Sequence, residues 1–322
     1  MVSRRRLGAR HGTARLIGLF GIVAPVFTLI GMGASAVRLR WLDAAAVKGM
    51  SDFVFYLAMP SLLFRSMVTA PPLRLLDVAG SFIAGAFLLF LVAVLLSRLG
   101  FRARLAAAAV FALNAVFGNT VMLGVPIIDS AFGAEGVAYL LAIVAFHSGL
   151  LLPLATILIE ADSGQGRGPL AVLRATLPGL LRNPVVVCIA LALAWRVTGL
   201  GLAAPVDRLL MLLGAAGPPL ALFCLGATLP KPDGWKGIGE VIAASALKLL
   251  VMPALVAALA WMAGVRGVAF AVVVLAAAMP TGANAFLLAR RFGTMMEASA
   301  NTVVVSTVLS LGTLTLLLGW LK

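Results

Sequence analysis

The 322-residue chain is 62% hydrophobic and 11% charged, with a mean hydropathy of +1.12. About a quarter of residues are charged in a water-soluble domain, so a soluble globular protein is excluded and lipid is the expected solvent. The net charge of +14 sits in short loops between apolar runs with few aromatics, which excludes a nucleic-acid-binding face and fits topology determinants instead.

A membrane span needs about 20 mainly apolar residues, and such stretches predict about ten spans, at 16–37, 53–70, 78–98, 104–128, 135–159, 184–199, 207–229, 238–263, 268–290 and 298–321. A basic tail over 1–15, with Arg4, Arg5, Arg6, Arg10 and Arg15, precedes the first of them; it lacks a convincing cleavage site and reads as a tail plus first helix. Residues 16–159 form a first five-helix unit. Glu160 to Pro169 is a connector rich in turn formers, and Leu170 to Asn183 an interfacial helix, so that 160–183 divides the chain. The second unit runs over 184–322. Cys188 and Cys224 lie inside apolar runs and read as small hydrophobes, with no metal or cofactor spacing.

Lys and Arg in the loops set the orientation. Arg38, Arg40, Lys48, Arg98, Arg102, Arg104, Arg167, Arg174, Arg182, Lys231, Lys236, Arg290 and Arg291 fall on one side, placing the connector in the cytoplasm and both termini outside. The basic tail argues the opposite way, and the agreement among the loops outweighs it.

The halves echo one another. Pro60 to Phe64 matches Pro219 to Phe223, Gly118 to Gly124 matches Ala283 to Ala289, and Phe132-Gly133 with Glu135 matches Phe292-Gly293 with Glu297. The offset is about 160 residues, as a duplicated unit gives. Five spans per unit force the second copy to enter from the other face, so the expected fold is an all-α membrane protein of two inverted repeats. Such a pair has two related conformations, one open to each side, which favours a carrier.

Polar residues concentrate in the fourth and ninth spans. Asn114, Gly118, Asn119, Gly124 and Pro126 interrupt one, and Pro280, Thr281, Gly282 and Asn284 the other. Non-helical backbone at such depth survives only inside protein or along a cavity. Two broken helices at matching places would aim free N–H groups and positive dipole at an anion, with Asn119 and Asn284 donating to its carboxylate; asparagines bonding neighbouring helices are the plainer alternative. Three further groups qualify for charge or coupling roles. Arg65 could pair with a carboxylate or snorkel. Lys248 could counter substrate charge or bond helix carbonyls and so hold the broken region. His147 suits proton coupling, though a neutral imidazole bonding across helices is the simpler expectation. Asp129 and Glu135 read as solvated turn positions, and no mid-membrane carboxylate defines a proton or sodium site.

These motifs, with Leu42-Asp43 and Phe53 to Pro60, resemble the auxin efflux carrier family over nearly the whole chain, including its bacterial malonate and malate permeases, within the bile acid, arsenite and riboflavin transporter superfamily. The most specific parts are Gly118-Asn119 through Pro126 and Met279 through Asn284. The resemblance implies that the fourth and ninth helices break and cross near mid-membrane, with Pro126 and Pro280 marking the crossing and Asn119 and Asn284 beside the ligand. It implies a scaffold and a moving part working as an elevator, often in homodimers, in the bacterial cytoplasmic membrane. The short connector points away from plant auxin and towards a small mono- or dicarboxylate such as malonate or malate, with H+ or Na+ as the coupling ion. An anion channel would need a continuous polar pore. An intramembrane enzyme would need a nucleophile or metal motif such as HExxH or GxSxG, and none is present.

Overall fold

Proline lacks the N–H that a helix needs, and its ring crowds the carbonyl four residues back. In the computed structural model this chain meets that problem by widening the helix. Among the described residues, three π segments, Val54–Ala58, Thr120–Gly124 and Leu247–Val251, are each followed two residues later by a proline, at Pro60, Pro126 and Pro253. Such insertions are uncommon and gather at functional regions.

The structure describes residues 24–69, 75–162, 181–230 and 236–321, with isolated positions at 170, 171, 174, 178 and 234. The expected basic tail, the start of the first span and most of the connector lie outside these residues. Among the described residues the elements are all helical: α1 (Ala24–Arg38), α2 (Ala44–Phe53), α3 (Met59–Thr69), α4 (Leu75–Gly100), α5 (Leu105–Val116), α6 (Val125–Asp162), α7 (Pro184–Val197), α8 (Ala204–Thr228), α9 (Ile238–Ala246), α10 (Met252–Met262), α11 (Gly267–Ala278), α12 (Ala283–Phe292) and α13 (Met296–Leu321). Five stretches are long and apolar enough to cross a bilayer: Leu76–Gly100, Thr120–Asp162, Ala204–Thr228, Ile238–Met262 and Met296–Leu321. Four more apolar helices are shorter, α1, α5, α7 and α11. The chain is an all-α membrane protein.

Two of the short helices explain the interior. α5 and α11 have 12 residues each, about 18 Å of helix against a hydrocarbon core of about 30 Å. Each stops inside the protein. They are rich in alanine, and Ala108, Ala109, Ala112, Ala115, Ala276, Ala277 and Ala278 are fully buried. Lipid tails are as apolar as leucine, so helices associate here through close packing, which small side chains permit. α4, α5, α6, α10 and α11 pack on one another around Phe82, Phe90 and Phe111, and α13 closes over α9 and α12. α3 packs on α7 and α8, and meets the first group chiefly through α6.

α1 crosses α8 at a glycine seam. A Cβ on Gly33 would stand 1.9 Å from the Phe223 carbonyl oxygen, and one on Gly226 1.8 Å from that of Ile30. No side chain fits at either place. Turns occupy the positions that the matching Phe-Gly pairs mark: Gly133 bends α6 at φ 62°, and Gly293 ends α12 at φ 64°, a region where glycine has no steric penalty.

Candidate functional site

Where α5 and α11 stop, their continuations pair with each other. Asn119 donates its backbone N–H to the Pro280 carbonyl at 2.8 Å, and Gly282 donates to the Phe117 carbonyl at 2.8 Å. Gly118 and Thr281 thus face one another in a two-residue antiparallel bridge, the meeting point of the two breaks. The bridge solves a physical problem, because a broken helix deep in a protein strands backbone groups that water cannot reach. Each break supplies the partner the other lacks.

Glycine is required here for space. A Cβ on Gly282 would lie 3.0 Å from the Phe117 ring and 3.1 Å from the Gly118 carbonyl oxygen. On Gly118 it would lie 3.4 Å from the Lys248 Cε and Nζ, an easier contact.

Side chains from distant helices brace the bridge. The Thr281 N–H donates to the Ser306 hydroxyl oxygen at 3.1 Å, and the Thr281 hydroxyl donates to the Asn114 carbonyl at 2.8 Å. Ser299 donates to the Asn114 side-chain oxygen at 2.9 Å. Asn114 and Thr281, expected among ligand-binding residues, are buried at 1% and 0% and these groups are engaged by the protein. Ser299 and Ser306 on α13 were not anticipated. Their spacing with Thr302 and Ser310 puts four hydroxyls on one helical face, the signal in the sequence that could have revealed them.

Lys248 is wholly buried on the π segment between α9 and α10, and its ammonium donates to the Ala277 carbonyl in the last turn of α11. Of its two expected roles, bonding helix carbonyls is the one seen. A cation suits that end of a helix, where unpaired carbonyls concentrate negative potential.

The two asparagines differ. Asn119 is 9% exposed and makes no side-chain capping bond, whereas Asn284 is exposed in the first turn of α12, next to exposed Ala283. Neither amide side chain is hydrogen bonded to a described residue. The start of α12 also leaves its first N–H groups free of intrahelical partners.

Three expectations need correction or relocation. Pro126 does not mark the crossing: it lies in the first turn of α6 beyond the π segment, and the break is at Phe117 to Asn119. The widened turn absorbs the proline. Pro280 stands within its break, as expected, and its carbonyl is one of the bridge acceptors. Arg65 is held by Asp207 at the start of α8, Nε to Oδ1 at 2.7 Å and a terminal nitrogen to Oδ2 at 3.2 Å, so its carboxylate partner belongs to the protein. His147 makes no bond across helices. Neither ring nitrogen has a partner among the described residues, and the ring stacks on Phe117. No cluster of three metal-ligating side chains occurs among the described residues.

A family described as "Membrane transport protein" matches residues 19–318. A Rhizobium meliloti (strain 1021) protein described as "Putative malonate transporter" is 26% identical over 305 residues, which cover 92% of this chain and 94% of that protein. A Methanothermobacter thermautotrophicus protein described as "Uncharacterized transporter" is 28% identical over 201 residues, 62% of this chain and 63% of its own length.

Proposed function

The chain belongs to the membrane transport protein family, that of the auxin efflux carriers, and from this premise we propose that it is a secondary carrier for a small organic anion. The substrate is a mono- or dicarboxylate such as malonate or malate, and the relative described as "Putative malonate transporter" supports that class. The anion binds at the crossing, held by the amides of Asn119 and Asn284 and by unpaired N–H groups at the start of α12, with Gly118 and Gly282 keeping the backbone close. The observation that carries the reading is the bridge itself. Two helices interrupted inside the protein, sharing their backbone bonds and leaving two amide side chains without a partner among the described residues, support a binding place there.

Two inverted five-helix halves, 16–159 and 184–322, supply one break each, with 160–183 joining them on the cytoplasmic side. Transport proceeds by an elevator-like exchange in which the group containing the crossing moves against α1, α2, α3, α7 and α8; the glycine seam and the Arg65–Asp207 pair suit a rigid scaffold. A gradient or the membrane potential drives it, since binding alone moves nothing uphill.

The test is malonate binding to purified wild-type, Asn119→Ala and Asn284→Ala protein by calorimetry. A hydrogen bond to a charged group is worth about 1.5–3 kcal/mol, so each variant loses roughly tenfold to a hundredfold in affinity, with its melting temperature unchanged. Wild-type affinity in both variants for malonate, malate and monocarboxylates alike overturns the site.

A further inference from the structure

A buried polar group without a partner is costly, and native proteins leave few of them. His147 is 1% exposed, and both its nitrogens lack a partner among the described residues. Its ring stacks on Phe117 with centroids 4.1 Å apart and planes 27° apart, and meets Phe82 edge-on at 5.5 Å and 78°. Phe117 is the residue whose carbonyl accepts the Gly282 N–H, and its ring touches the Gly282 position. One aromatic ring therefore separates this imidazole from the crossing.

The charge nearby is positive. Lys248 lies against Gly118, the residue next to the Phe117 whose ring stacks on His147. The helices packed against α6 carry their charged side chains towards their ends, as with Arg65 on α3, Asp77 and Arg98 on α4, Arg196 on α7 and Asp207 on α8. On α6 itself Asp129, Glu135, Glu160 and Asp162 lie towards the two ends, and Arg266 precedes α11. Lys248 is thus the charge that faces the ring.

A monocarboxylate at the crossing finds one cation there. A dicarboxylate dianion leaves a second negative charge without a matching cation, which is unfavourable wherever the site withdraws it from water. Without that anion, an imidazolium at position 147 would be an unpaired charge beside another cation, so the unoccupied site keeps the ring neutral. With it, the second carboxylate sets a negative charge one aromatic ring away from the imidazole, and the Phe117 face stacked on that imidazole favours a cation.

We propose that His147 takes up one proton from water when a dicarboxylate dianion binds at the crossing, so that the site matches two negative charges with two cations and carries a proton with its substrate. This deepens the carrier reading and rests on it.

Calorimetry of malonate binding to the purified full chain, in buffers of different ionisation heat and at a pH where free malonate is dianionic, counts the protons. Wild-type protein takes up close to one proton per malonate and none with acetate. Malonate affinity then falls roughly tenfold per pH unit, as uptake of one proton requires. His147→Gln binds malonate more weakly, takes up no proton and loses the pH dependence. If that variant does not fold, His147→Phe, which keeps the aromatic stack, replaces it. Uptake near one proton in a folded position-147 variant overturns the proposal, because the proton then rides on malonate itself, and so does uptake near zero in the wild type. Undiminished affinity in Asn119→Ala and Asn284→Ala overturns the crossing as the site. The converse pattern, weakened asparagine variants with uptake that ignores His147, keeps the site and removes the histidine.

Discussion

The first break holds Asn119 at 9% exposure with Phe117 behind it and Lys248 beside it, whereas the second turns Ala283 and Asn284 outwards. Both use the same device, a short buried helix that stops and lends its backbone to the other. They differ in what surrounds them. The first is walled by side chains from α6 and from the π segment after α9, and the second is tied at Thr281 to Ser306 and then emerges as an amphipathic helix ending in Arg290 and Arg291. One break is closed in by protein and the other reaches the surface. A crossing of two equally buried breaks would have no way in.

Removing the wall should have the largest effect. Lys248→Ala deletes a fully buried side chain and strips Ala277 of its donor, so a loss of about 3 kcal/mol in stability is expected from the cavity and the missing charged hydrogen bond, measured by denaturation in detergent. Lys248→Met, which refills much of the space, should recover part of it. Next come the two glycines. Gly282→Ala crowds both the Phe117 ring and the Gly118 backbone and should cost about 1–3 kcal/mol, whereas Gly118→Ala meets the flexible end of Lys248 at 3.4 Å and the Ala276 carbonyl oxygen at an ordinary 3.5 Å and should cost less than about 1 kcal/mol. Equal losses would mean that the breaks are not asymmetric in the way described. The smallest effect is expected far from the crossing. Arg65 and Asp207 are each about one-third exposed, so Arg65→Met should change stability by about 1 kcal/mol or less and leave anion affinity unchanged. A large loss of affinity would return Arg65 to the binding site.

Much of this asymmetry was hidden in the sequence, although the breaks were not. Asparagine, glycine and proline stand out in an apolar run because lipid tolerates none of them cheaply, so Gly118-Asn119 and Pro280 to Asn284 could be located from composition alone. Pro126 misled, since a proline signals a missing N–H but not how the helix adjusts, and here a π turn takes up the strain. The partner of Arg65 lies 142 residues away, and no periodicity connects α3 with the first turn of α8. Ser299 and Ser306 were legible as a polar face, but a face does not reveal which carbonyl or N–H it will meet. His147 illustrates the limit most clearly: placing it mid-span was straightforward, while the absence of any partner for its nitrogens among the described residues depends on every neighbour at once.

The account depends on an anion seated at the second break's opening and reaching the first. Ala283, exposed beside Asn284, is the place to look. In a background with Cys188 and Cys224 replaced, the labelling rate of Ala283→Cys by a charged maleimide should fall severalfold when malonate is added to purified protein, while an exposed control on α2, Ala45→Cys, labels at one rate throughout. Labelling of Ala283→Cys that is indifferent to saturating malonate, in protein that still transports it, would contradict binding at the crossing.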